Sequence, residues 1–185
     1  MSNRVMQAWE DVLNDAISSD FDEQQFALVR IGMILQRHNP RVQMPSDAPE
    51  DMLSRELIRL TLNESRQADA VKYLTTLVRK QPQRADSILY ALSNAQAPIL
   101  AEPLLALIDE MGSKFNKDAR FQAVTALVEL LRFPDDQVLA ALSAHNIIPL
   151  LDKWADGKDA LTADKAETVA DKIEDLLTSA DEDAE

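Results

Sequence analysis

Apolar residues recur along most of the chain three and four positions apart, the spacing that gathers them on one face of a helix. Val5, Met6, Trp9, Val12, Leu13, Ala16 and Ile17 form the first such stripe and predict a helix over 4–18. Asp20 or Asp22 stands where the cap of a second helix is needed, one that carries Phe26, Val29, Ile31, Met33, Ile34 and Leu35. Pro40, Pro45 and Pro49 then break the pattern, so 39–49 is expected to be a loop, longer than the usual ~4–6 residues of a connection. A third helix is expected to be capped by Ser46 or Asp47, with Pro49 and Glu50 in its first turn and Met52, Leu53, Leu57, Ile58, Leu60 and Leu62 along it. The periodicity continues over 65–80, 84–94, 98–112, 117–132, 135–143 and 147–155. Pro82 and Pro134 end two of these segments. Pro103 implies a kink, or a helix start at Glu102, and Gly112 is expected to be a C-terminal glycine cap. Thr162 is expected to cap a last helix reaching Ser179, and Asp181 to Glu185 to be a disordered tail.

One helix pattern occurs three times. Ala27-Leu28-x-x-Ile31-x-x-Ile34-Leu35 precedes Pro40, Ala70-Val71-x-x-Leu74-x-x-Leu77-Val78 precedes Pro82, and Ala123-Val124-x-x-Leu127-x-x-Leu130-Leu131 precedes Pro134. The offsets are 43 and 53 residues. Ala91-Leu92-Ser93 and Ala141-Leu142-Ser143 repeat at an offset of 50. A period near 40–50 residues built of two or three helices is the signature of stacked helical repeats. In these motifs, over residues 22–155, the chain resembles the armadillo and HEAT class. The best stretch is Ala123 to Trp154: a middle helix, a break at Pro134-Asp135-Asp136, then Asn146-Ile147-Ile148-Pro149-Leu150-Leu151, which resembles the start of the family's third helix. Asn146 stands where the family usually has glycine. The resemblance implies an all-α fold, a short right-handed α-solenoid of about eight or nine helices; the residues that follow predict an acidic C-terminal helix. It also implies binding of another protein through a helical groove. An irregular helical bundle is the competing architecture. The expected organisation is a repeat domain over 1–155, a linker and capping helix over 156–180, and the tail over 181–185.

Composition narrows the chemistry. The 185 residues contain no cysteine and three glycines, Gly32, Gly112 and Gly157. Disulfides, cysteine-based zinc or redox sites and Gly-rich phosphate loops are thereby excluded. Lys and Arg number 19 against 32 Asp and Glu, a net charge of −13, which disfavours nucleic acid and anionic lipid as direct partners. The charge is uneven: residues 151–185 carry 4 basic and 12 acidic groups, or −8, which leaves −5 for the first 150. No apolar run approaches the ~18 residues of a membrane span. The N-terminal segment turns polar within ten residues, unlike a signal peptide, so a cytoplasmic location without membrane attachment is expected.

Candidate chemistry is sparse. His38 and His145 lie far apart in sequence, and neither belongs to a metal-ligand spacing. Asp152, Asp156, Gly157 and Asp159 do not follow the calcium-loop pattern, and no nucleophile elbow exists. No catalytic residue, cofactor or metal is expected, and the chain is read as a non-enzyme. Basic residues cluster at helix ends: Arg30, Arg37 and Arg41 beside His38; Arg79, Lys80 and Arg84; and Lys114, Lys117 and Arg120. They either complement helix dipoles or form a ridge that grips an acidic partner or the chain's own tail. Ala166, Val169, Ile173, Leu176 and Leu177 give the last helix a narrow apolar stripe, suited to capping the stack or to docking in a partner's groove. Trp9 and Trp154, near the two ends of the helical body, are expected in core or capping positions. The functional expectation is an adaptor or scaffold. The alternatives are an acidic regulator or inhibitor that mimics nucleic acid, and an enzyme whose site is not recognisable in sequence.

Overall fold

The computed structural model describes residues 2–39 and 53–182. Among the described residues there are ten α-helices and no strand. They are α1 (Asn3–Asp15), α2 (Phe21–Arg37), α3 (Arg55–Ile58), α4 (Glu64–Lys80), α5 (Ala85–Leu92), α6 (Ala97–Met111), α7 (Lys117–Leu130), α8 (Asp136–Ala144), α9 (Ile148–Ala155) and α10 (Ala160–Glu182). Short 3₁₀ turns at Pro82–Arg84 and Gly112–Lys114 come after α4 and α6.

Polar caps set several of the helix starts. Asp20, Ser54, Asn63, Asn116 and Asp135 each accept a hydrogen bond from the backbone N–H three residues on. The cap of α10 is Asp159 rather than Thr162. Its carboxylate takes the Thr162 hydroxyl and backbone N–H, and α10 begins at Ala160. At its other end α10 continues through Glu182, beyond the expected Ser179. Of the tail expected at 181–185, residues 183–185 lie outside the described residues.

The third helix differs from expectation. Its proposed caps Ser46 and Asp47, with Pro49, Glu50 and Met52, lie outside the described residues, as does the loop from Pro40 onward. The helix itself is a single turn, α3, and Leu60 and Leu62 beyond it sit in a non-helical link yet stay buried. Side chains at the end of α2 and at its C-cap hold α3 and this link. Arg37 donates to the Leu57 and Ile58 carbonyls, and Leu62 N–H donates to His38 Nε2. Tertiary hydrogen bonds have replaced helical ones.

Two further expectations meet at α6. It starts at Ala97, with Pro98 in its first turn, where a missing N–H costs nothing, and it continues past Pro103 rather than beginning at Glu102. Gly112 is the C-cap residue of α6, as expected, with φ −60°, an ordinary right-handed value rather than the left-handed one. Its small size serves packing instead: a Cβ there would overlap Leu150 and approach the Trp154 ring to 3.2 Å.

The helices pack in two layers. α2, α5, α7 and α10 neighbour one another in that order, and so do α4, α6 and α8. α4 packs on α5 and α6 on α7 across the layers. α1 packs on α2 and α3, and α9 on α10. Between the layers runs one hydrophobic core from Val5 to Ile173, with Ile31, Leu74, Ile88, Leu89, Leu104 and Val124 fully buried. Trp9 and Trp154 both belong to it. Each fully buried Leu or Ile contributes about 1.5–3 kcal/mol over an exposed one. Of the three copies of the repeated pattern, α2 and α7 share a layer and α4 lies in the other.

Candidate interaction surface

Seven large apolar side chains are exposed among the described residues: Ile17, Phe21, Phe26, Tyr90, Val128, Phe133 and Leu161. Five belong to α2, α5, α7 and α10. Ile17 lies in the link entering α2 and Phe133 in the link leaving α7. None lies on α4, α6 or α8. The local cause is visible in the helical positions. Phe26 precedes buried Ala27 and Leu28, Tyr90 sits between buried Leu89 and Ala91, and Val128 comes after buried Leu127. Each is a step of roughly 100° off the core stripe, on the side turned away from the second layer.

Cations cover the rings. The Arg30 guanidinium lies 4.1 Å from the Phe26 centroid and that of Arg84 4.0 Å from Phe21. The Lys165 ammonium stands 5.0 Å from Phe121, and Arg132 lies 6.0 Å from Phe133. Such stacks contribute about 0.5–1 kcal/mol each at exposed sites and keep the aromatic plane presented. The chain has five Phe, and only Phe115 is in the core; the other four carry a cation. Between α2, α5 and α7 lies an open groove of about 290 Å³ lined by Gln25, Val29, Asp86, Ser87, Tyr90 and Gln122. The Ser87 hydroxyl donates to Gln25 Oε1 at 2.6 Å and ties α5 to α2 at the groove floor.

No family model matches this chain, and neither the curated proteins nor the solved structures give a match. The meaning of the face rests on its own residues.

The basic residues singled out by sequence sit on several different elements. Arg30 and Arg84 lie on the aromatic face. Arg37 closes the end of α3, and Arg41 lies outside the described residues. Arg79 pairs with Glu110 of α6 at 2.7 Å, in the other layer, while Lys80 is exposed at the end of α4. Lys114 is exposed in the turn after α6, Lys117 pairs with Asp159 at 3.1 Å, and Arg120 Nε donates to the Phe115 carbonyl at 2.9 Å.

Both histidines join structural elements. His38 bonds the Ile34 carbonyl through Nδ1 at 2.8 Å and accepts from Leu62 N–H through Nε2 at 3.0 Å. His145 stands between two carboxylates of α6, with Nε2 2.9 Å from Glu102 and Nδ1 3.6 Å from Asp109. The Glu102 hydrogen bond, helped by the charges of both acids and opposed by burial, raises its pKa. Among the described residues no group of three His, Asp or Glu is placed to hold a metal ion. No described helix is long and apolar enough to cross a membrane. The exposed aromatics were absent from the sequence-derived site. Their signal was there: an aromatic ring one step off the apolar stripe, with Arg four residues on at Phe26 and Arg30.

Proposed function

We propose that this chain is a non-catalytic adaptor or scaffold that binds another protein through the face of α2, α5 and α7. The observation that carries the reading is the confinement of exposed large apolar side chains to one layer and its links. Contiguous exposed apolar surface rimmed by polar groups is characteristic of interaction sites, and aromatic and Arg side chains are the types that dominate interface energetics. We read the two layers as a short right-handed α-solenoid of armadillo/HEAT type, a class in which equivalent helix faces line a continuous binding surface. A cysteine-free chain supports a cytoplasmic setting.

The test is affinity purification of the intact protein from its native cell beside the double variant Phe26→Ala, Tyr90→Ala. A chain that co-purifies with the intact protein and is lost from the variant is expected. Ala68→Asp, an exposed change on α4, should retain it. A partner retained by the double variant and lost from Ala68→Asp would reject the assignment of the face.

A further inference from the structure

A second cavity, of about 270 Å³, opens where the start of α7, the end of α9 and the start of α10 meet. Three cations line it, Lys117, Arg120 and Lys158, against one carboxylate, Asp159. It therefore carries two net positive charges within a chain of −13.

Asp159 is already committed. One of its oxygens pairs with Lys117 Nζ at 3.1 Å, and the other takes the Thr162 hydroxyl. That leaves Arg120 and Lys158. Arg120 is held in place because its Nε donates to the Phe115 carbonyl, while its two terminal nitrogens have no partner among the described residues. Lys158 is exposed in the link before α10 and has no carboxylate partner among the described residues. Trp154 lines the cavity as a rigid apolar wall, 2% exposed and packed on Phe115 at 6.4 Å between ring centroids. Ions meeting against such a wall are less screened than on open surface. Gly157, also in the lining, adds no side chain to the mouth.

We propose that this cavity binds a phosphate dianion, as free phosphate or as a phosphate monoester, through Arg120 and Lys158 with Lys117 as a third donor. A phosphate group carries about −1.5 to −2 at neutral pH and matches the two uncommitted cations, whereas a carboxylate matches one. Guanidinium nitrogens grip phosphate oxygens in bidentate fashion. The volume falls just under the ~300–1,000 Å³ of ordinary small-molecule pockets. It therefore takes a phosphate and its ester linkage rather than a nucleotide. This site lies apart from the α2–α5–α7 groove and does not depend on the adaptor reading.

The test is a titration of the full chain with inorganic phosphate at low ionic strength, read from the NMR signals of the Trp154 indole N–H and the amides of 157–159. A saturable shift is expected. Lys158→Glu should weaken binding about tenfold, and Lys117→Gln should weaken it too. Lys172→Glu makes the same charge change about 20 Å further along α10 and should leave the affinity within about twofold. A phosphoserine peptide added in parallel distinguishes the sources: tighter binding than inorganic phosphate assigns the site to a modified side chain, equal or weaker binding to the free ion. The proposal is overturned by absence of saturation, by acetate binding as tightly as phosphate, or by equal losses in Lys158→Glu and Lys172→Glu.

Discussion

The α4–α6–α8 layer and the α2–α5–α7–α10 layer share one core, but they finish their exteriors differently. The outer side chains of the first are polar and bridge its own elements: Arg79 of α4 reaches Glu110 of α6, and His145 after α8 reaches Glu102 and Asp109 of α6. The second leaves Phe21, Phe26, Tyr90, Val128 and Leu161 in water and lays cations over its rings. One exterior is closed on itself. The other forgoes about 1.5–3 kcal/mol for each large side chain it could have buried. Core burial thus accounts for the fold of both layers, and the proposed function rests on the difference outside the core.

The largest expected effects fall equally on the two layers. Leu74→Ala in α4 and Leu89→Ala in α5 both empty fully buried sites and should each cost about 2–5 kcal/mol in urea unfolding. A cost confined to one layer would break the premise of a shared core. Next in size is a pair of charge reversals chosen to separate the exteriors. Arg84→Glu removes the cation over Phe21 and should weaken partner binding by about 1–2 kcal/mol in a direct titration. Arg79→Glu, which opposes Glu110 in the other layer, should leave binding unchanged and cost under about 1 kcal/mol of stability.

A smaller effect concerns pH. A hydrogen bond to Glu102, with the charges of Glu102 and Asp109 of α6, favours the charged form of His145, so its folded pKa exceeds the unfolded value of about 6.5. The unfolded state then binds fewer protons than the native state between the two values. The stabilisation is complete below about pH 6.5 and fades as pH rises through the folded pKa. Thermal melts of the intact chain should fall over that window relative to His145→Gln, by about 0.2–1 kcal/mol. The smallest expected effect is Arg132→Gln: its stack on Phe133 is long, and unfolding should change by less than about 0.5 kcal/mol.

Much of the helical framework was legible in sequence, because local chemistry decides it. Asp20 caps α2, Pro82 stands just past α4, and the α5, α7, α8 and α9 segments fall within a few residues of their expected bounds. Where the chain departed from expectation, the deciding atoms were distant in sequence. Leu60 and Leu62 remain non-helical where Arg37 and His38 of α2 meet the link, and Gly112 is small because Leu150 and Trp154 press on it. The Ala-Val-x-x-Leu pattern reports a helix buried on one side, but not the layer it joins, since α4 and α7 share the pattern and not the layer. The candidate surface was half visible. Arg30 and Arg84 stood out as charges, while the rings beneath them were indistinguishable from core until burial separated Phe26 from Phe115. Lys117 and Arg120 are neighbours in sequence, but Lys158 and Trp154 join them only through the packing of α9 on α10 and of α10 on α7.

We propose that the α2–α5–α7 face is the one that meets a partner. Hydroxyl-radical footprinting of the intact chain, free and with its co-purifying partner, tests this directly, because exposed aromatic rings are the side chains such labelling reads. Labelling of Phe26 and Tyr90 should fall sharply in the complex, while that of exposed residues on α4 and α6 stays constant. Unchanged labelling at Phe26 and Tyr90, with protection on α4 and α6 instead, would contradict it.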